Sequence, residues 1–310
     1  MSVFGGNLMG KLSILTIIML LNCFFAIPSF AENLLKIKYL QTVYDDERPT
    51  QTGLSHPEGV ACTDDYFVVA DTDNNRLVQY TFADKVVKAG EVDLPINTPI
   101  VVQVNSKGVI YGLDGRDRRI LKLKADGTEQ EYLSPKGNPV SRKMVPRSFK
   151  IDKNDKVYIL DISDEVVLIL DSAGNYLRHI PLPEQSGFFS DLAVDKQGTV
   201  FLVDSTEPGV YSAAQDADKF TLLTKGLEEY VNFPTNIALD SRGSIYLVDK
   251  HGGSLALIGR DGSFLGHRFG YGWKESQFYY PAQLCISEGG YFFVADRSNS
   301  RIQIFAAEEE

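Results

Sequence analysis

Tyr66-Phe-Val-Val-Ala-Asp71 and Tyr291-Phe-Phe-Val-Ala-Asp296 are nearly the same hexapeptide, set at opposite ends of the chain. Four related runs lie between them: Val109-Ile-Tyr-Gly-Leu-Asp114, Val157-Tyr-Ile-Leu-Asp161, Val200-Phe-Leu-Val-Asp204 and Ile245-Tyr-Leu-Val-Asp249. Each is short, rich in β-branched and aromatic residues, and closed by Asp. The closing aspartates recur every 43–47 residues. Self-similarity at that period marks a repeat architecture rather than a single folded core.

The surroundings of each run repeat too. An apolar run precedes it, as in Pro57-Glu-Gly-Val-Ala-Cys62 and Pro234-Thr-Asn-Ile-Ala-Leu-Asp240. The joining turns hold Gly among polar residues, as in Asp195-Lys-Gln-Gly198 and Asp240-Ser-Arg-Gly243, where a tight hairpin demands positive φ. A third run follows the Asp, as in Arg76-Leu-Val-Gln-Tyr80, and a turn such as Arg260-Asp-Gly262 leads to a fourth. Four strands per repeat without helical periodicity predict an all-β, six-bladed β-propeller of four-stranded antiparallel blades. The last repeat has only three strands before the acidic tail. Leu35-Lys-Ile-Lys-Tyr39 alternates apolar and charged residues and is expected to supply the fourth, closing the ring.

The N-terminus is of another kind. Lys11 precedes the apolar run Leu12–Leu21, and Ser29-Phe30-Ala31 offers a small-x-small end. That pattern predicts a secretory signal peptide over residues 1–31 and a single propeller domain over 32–310, exported to the periplasm or the extracellular space. No transmembrane anchor is expected after cleavage. The chain carries a net charge of −10, and no contiguous Lys/Arg cluster offsets it. Nucleic acid is therefore not an expected partner. Only Cys62 and Cys285 remain beyond the leader. Neither a metal nor a haem motif contains them. Packed sheets lie about 10 Å apart, too far for a disulfide, so two buried free thiols are expected.

The motifs resemble NHL repeats. Blade one reads His56-Pro57-Glu58-Gly59, then Val69-Ala70-Asp71-Thr-Asp-Asn-Asn75-Arg76. Blade six reads Val294-Ala295-Asp296-Arg-Ser-Asn299-Ser-Arg301, after a Gly-rich lead from Phe269 to Pro281. The resemblance covers residues 35–305 and implies the propeller fold. For function it implies several groups: protein binders, RNA binders, lyases and metal-dependent hydrolases. Lyase relatives hold a metal with several His around the channel, but His179 and His267 fall in outer strands, leaving only His56 and His251. Hydrolase-type relatives use Glu, Asn and Asp on inner strands, and Glu58, Asp191 and Asn236 match those positions.

The repeated aspartates suggest two roles. Arg lies five residues after three of them, predicting the clasps Asp71–Arg76, Asp114–Arg119 and Asp296–Arg301. Asp161, Asp204 and Asp249 lack that Arg. Either backbone N–H groups satisfy them, or they form an electronegative docking sector for a basic protein or a weak cation site, to which Asp164 and Glu165 add charge and which Lys250 and His251 partly offset. The second lead is aromatic: Tyr271 and Trp273 sit in the Gly-rich loop before blade six, and such residues are favoured at interfaces. The expected function is a non-catalytic binding scaffold that docks a protein partner on the loop face, with no cofactor. The alternative is a hydrolase or lyase with a divalent cation at the channel mouth.

Overall fold

The structure is a computed structural model. It describes residues 36–44, 53–84, 86–124, 130–139, 143–184, 187–224 and 226–308. The predicted leader, residues 1–31, lies outside the described residues.

Six four-stranded antiparallel sheets form the fold. Blade one shows the plan: Gly59–Cys62, Tyr66–Asp71, Arg76–Ala83 and Val86–Pro95, paired in that order. The innermost strands of the other blades are Pro99–Val104, Pro146–Ile151, Phe189–Val194, Pro234–Leu239 and Gln283–Ile286. Each inner strand neighbours that of the next blade, and the sixth neighbours the first. In the sixth sheet Ile37–Val43 pairs antiparallel with Arg301–Ala307, matching Val43 with Ile302 and Ile37 with Ala307. Among the described residues there is no α-helix, only two short 3-10 turns. No helix among them is long and apolar enough to cross a membrane.

Alternation along each strand places one set of side chains against the blade on either side. The core is therefore a series of layers between blades. Phe67, Tyr80 and Phe82 of blade one meet Phe293 and Ile304 of blade six, with Phe67 and Phe293 centroids 5.0 Å apart. Tyr158 and Leu160 of blade three pack with Leu192 and Leu202 of blade four. Fully burying one such side chain stabilises by about 1.5–3 kcal/mol.

Polar side chains set the hairpins. Asp195 Oδ1 accepts from the backbone N–H of Gln197 and Thr199 at 2.9 and 2.8 Å, while Gly198 takes φ +83°. Blade three has no Gly at this place. Asp155 adopts φ 61° instead, and Ser106 of blade two donates to its carboxylate from N and Oγ, each at 2.8 Å. A tie between blades helps hold this left-handed residue.

Cys62 and Cys285 form a disulfide between the inner strands of blades one and six, with Cα atoms 5.9 Å apart. This corrects the expectation of free thiols. The spacing of about 10 Å belongs to sheets stacked face to face. Blades splay from a central axis, so their innermost strands converge and come within disulfide reach.

Candidate functional site

The aspartates that end the second strands are all buried. Each fixes a loop. Asp71 accepts from Ser55 N at 2.7 Å and from Arg76 Nε at 2.7 Å. Asp296 accepts from Tyr279 N at 2.7 Å and from the buried Arg301 Nε at 2.6 Å. These two are clasps as expected from the spacing. The third is not: Arg119 lays its guanidinium over the Tyr132 ring, 3.6 Å from the centroid. Asp114 instead takes the backbone N–H of Arg116 and Asp117, at 3.0 and 2.8 Å.

In blades three to five backbone N–H groups replace the arginine. Asp161 accepts from Val145 and Ser163. Asp249 accepts from Asn232, Phe233 and Gly252. Asp204 accepts from Gly187, Phe188, Thr206 and Glu207. Burial pushes the Asp204 pKa up, but these four donors outweigh it and hold the carboxyl below its ordinary value. Asp161, Asp204 and Asp249 thus bind the loop before their own inner strands and offer no surface to a partner. Glu165 is exposed and Asp164 partly so, so the expected electronegative sector loses its three central members.

The second sequence lead is on the surface. Trp273 is 75% exposed, Tyr271 50% and Tyr279 38%. A run of ring contacts continues along the surface: Tyr271 to Tyr279 at 5.2 Å, Tyr279 to Tyr280 at 5.0 Å, Tyr280 to His251 at 5.9 Å, and His251 stacked on Phe233 at 4.9 Å. The loop beneath is braced. Gly272 N donates to Phe278 O, and Asn299 Nδ2 donates to Gly272 O at 3.0 Å. Arg301 Nη2 donates to the carbonyls of Lys274 and Gln277. A Cβ on Gly253, at φ +61°, would lie 2.7 Å from the Phe278 carbonyl oxygen and the Tyr271 Cα. Glycine therefore lets the blade-five loop press against the aromatic one.

Glu58, Asp191 and Asn236 do come together at the channel mouth. They line one cavity of about 220 Å³, to which the starts of all six inner strands contribute. Their oxygens are engaged, however. Ser148 Oγ donates to Asp191 Oδ1. Asn236 Nδ2 at 2.5 Å and Ile237 N at 3.1 Å donate to Asp191 Oδ2, with Lys150 Nζ 3.5 Å away. Asn236 Oδ1 accepts from Leu284 N, and Glu58 Oε1 from Arg297 Nε at 2.8 Å. Asp191 already accepts three hydrogen bonds and faces Lys150, so the trio offers a divalent cation few free oxygens. Among the described residues no group of three His, Cys, Asp or Glu is placed to hold a metal.

Sequence reading named Lys250 only as an offset to negative charge in the blade-five loop, and missed Arg118 and Arg147. Arg118, Arg147 and Lys250 line the cavity, and none has a carboxylate within ion-pair distance among the described residues. Burial lowers the Arg147 pKa, and the nearby Arg118 charge lowers it further. Burial likewise lowers that of Lys250, with Glu58 opposing and Arg297 and Arg147 assisting. Contrary to the sequence expectation, a local basic patch exists. Blades two, three, five and six contribute to it, so it never appears as a run. Lys250 and Arg297 each directly follow a strand-ending Asp, and that shared position was the available signal.

The opposite end of the ring holds a larger cavity, about 380 Å³, lined by hairpin turns. Two ion pairs lie there, Lys196 with Glu288 at 2.6 Å and Arg242 with Asp240 at 3.1 Å.

The NHL repeat family matches residues 278–305. None of the curated proteins compared matches the sequence. Solved structures match widely at low identity. A streptogramin B lyase is 13% identical over 88% of this chain and 98% of its own, with a TM-score of 0.61. A gluconolactonase from Xanthomonas campestris is 13% identical over 88% and 90%, at 0.64. An auxiliary nutrient binding protein from Bacteroides thetaiotaomicron is 11% identical over 88% and 76%, at 0.65. Enzymes and a binding protein thus share this architecture, and at such identities the likeness concerns the fold alone. The chain thus carries one match to the NHL repeat, at residues 278–305, within a ring of six similarly built four-stranded blades.

Proposed function

We propose that this propeller is a binding module that docks a protein partner on the aromatic shelf beside its channel mouth. The observation that carries the reading is Trp273, three-quarters exposed on a loop fixed by Asn299 and Arg301. A rigid, exposed aromatic loses little conformational entropy on docking, and residues of this kind dominate interface energetics. The alternative, a cation-dependent hydrolase or lyase, is weakened by the engaged oxygens of Glu58, Asp191 and Asn236. Export is part of the proposal. The leader pattern and the Cys62–Cys285 disulfide support it, because such bonds persist in oxidising compartments.

Trp273 is the sole tryptophan, so its emission reports on the shelf directly. The protein and its Trp273→Ala variant are used to capture partners from the extracytoplasmic fraction, and the recovered partner is titrated into wild type. The expected result is loss of at least about 2 kcal/mol of binding in the variant, and a blue shift of Trp273 emission in wild type. Equal capture by both proteins, or unchanged emission at saturation, overturns the proposal.

A further inference from the structure

The basic mouth is distinct from the aromatic shelf and answers to different chemistry. Arg118, Arg147 and Lys250 face one cavity of about 220 Å³, and among the described residues none of them is ion-paired; the two carboxylates that share the cavity, Glu58 and Asp191, already face Arg297 and Lys150. With Lys150 and Arg297 included, five cations meet two carboxylates there, an excess of three positive charges in a chain whose net charge is −10. Like charges held together in a partly desolvated cleft destabilise the fold that holds them.

The hydrogen bonds agree. Arg118 Nη1 and Thr235 Oγ1 are buried atoms with no hydrogen-bond partner, and both residues line this cavity. Arg147 is steered by the Phe188 ring, with Cζ 4.4 Å from the centroid. A buried donor without an acceptor costs about 1–3 kcal/mol. Here the missing acceptor and the missing negative charge fall at one place.

We propose that the channel mouth binds a small organic polyanion through its carboxylate or phosphate oxygens, held by Arg118, Arg147 and Lys250 with Thr235 as a hydroxyl contact. Guanidinium forks suit either kind of oxygen. The cavity is below the roughly 300–1,000 Å³ typical of drug-sized ligand pockets, so the ligand is compact. Three cations call for at least two negative charges. The site needs nothing from Trp273, so it stands or falls separately from the docking shelf.

Citrate and inorganic pyrophosphate are the probes, titrated calorimetrically and by thermal melting, with sodium chloride at matched ionic strength as reference. At least one probe is expected to bind and raise the midpoint above the reference. Citrate alone would assign carboxylate oxygens and pyrophosphate alone phosphate oxygens. Lys250→Gln is expected to weaken binding about tenfold or more while leaving the midpoint without anion equal or higher, because it relieves repulsion. A purely structural lysine would lower that midpoint. Lys196→Gln, at the opposite end, is expected to bind as wild type does. The proposal is overturned if neither probe exceeds the salt reference, if Lys250→Gln binds normally or melts lower, or if calcium chloride stabilises where both anions fail.

Discussion

One position in the repeat, the aspartate ending each second strand, is neutralised in two ways. At Asp296 the donor is a buried cation. Arg301 gives Nε to the carboxylate, Nη1 to Tyr44 Oη at 2.8 Å and Nη2 to two loop carbonyls. Arg301→Met would strand a buried charge, an outcome that typically costs about 3–5 kcal/mol. It would also loosen the loop carrying Trp273, so urea titration and Trp273 emission should change together. Arg119→Met should cost about 1 kcal/mol or less, the worth of an exposed cation–π contact. At Asp204 the donors are four backbone N–H groups. Asp204→Asn replaces acceptor by donor at one oxygen and should cost about 1–3 kcal/mol at neutral pH. Because the folded pKa is lowered, the aspartate's contribution is complete above the unfolded value of about 3.9 and disappears as pH falls through the folded one. The stability gap between wild type and Asp204→Asn should narrow as pH is taken from 7 towards 3. A gap constant with pH would show that the carboxylate's charge contributes nothing.

At the scale of elements, Ile37–Val43 covers the edge of Arg301–Ala307, whose Ile302, Ile304 and Phe305 are fully buried. Deleting 34–43 would expose a long apolar edge strand. The midpoint is expected to fall by about 10 °C or more, given roughly 2–4 °C per kcal/mol in domains of this size, with soluble aggregates on size exclusion. An unchanged midpoint would refute the edge-covering role. Second strands such as Val200–Asp204 were legible because burial on both sides forces β-branched and aromatic residues into them at a fixed period. Outer strands such as Thr221–Leu222 are short and exposed, so no pattern constrains them. The candidate site was legible only in part. Glu58, Asp191 and Asn236 could be placed at inner-strand starts, but their partners could not. Asp161, Asp204 and Asp249 lacked a visible partner in the sequence, which left backbone N–H groups as one of two readings, and that reading is what the structure shows. Arg118, Arg147 and Lys250 stand on three different blades, and only closure of the ring makes them neighbours.

For the whole molecule, closure is the costly step, since it joins residues at the two ends of the propeller. The Cys62–Cys285 disulfide spans 223 residues at the seam between blades six and one, the sheet of which also receives Ile37–Val43. A cross-link over so long a loop removes conformational entropy from the unfolded chain, worth about 5 kcal/mol on the chain-entropy account. Reduction, or paired Cys62→Ser and Cys285→Ser substitution, should therefore lower the midpoint by about 10 °C or more. The two closures act on one seam, so their effects should not add. With the disulfide intact, loss of the N-terminal strand leaves inner strands of blades one and six tied. In the reduced protein the same deletion leaves the seam held by non-covalent contacts alone, among them Phe67 and Phe82 on Phe293, Val60 N to Gln283 Oε1 and the Arg297–Glu58 pair. The deletion should accordingly cost more in the reduced protein than in the oxidised one, by at least about 1 kcal/mol. A four-way melting comparison, with and without strand and with and without reductant, measures that coupling directly. Strictly additive midpoint shifts would mean that the strand and the disulfide stabilise different parts of the ring.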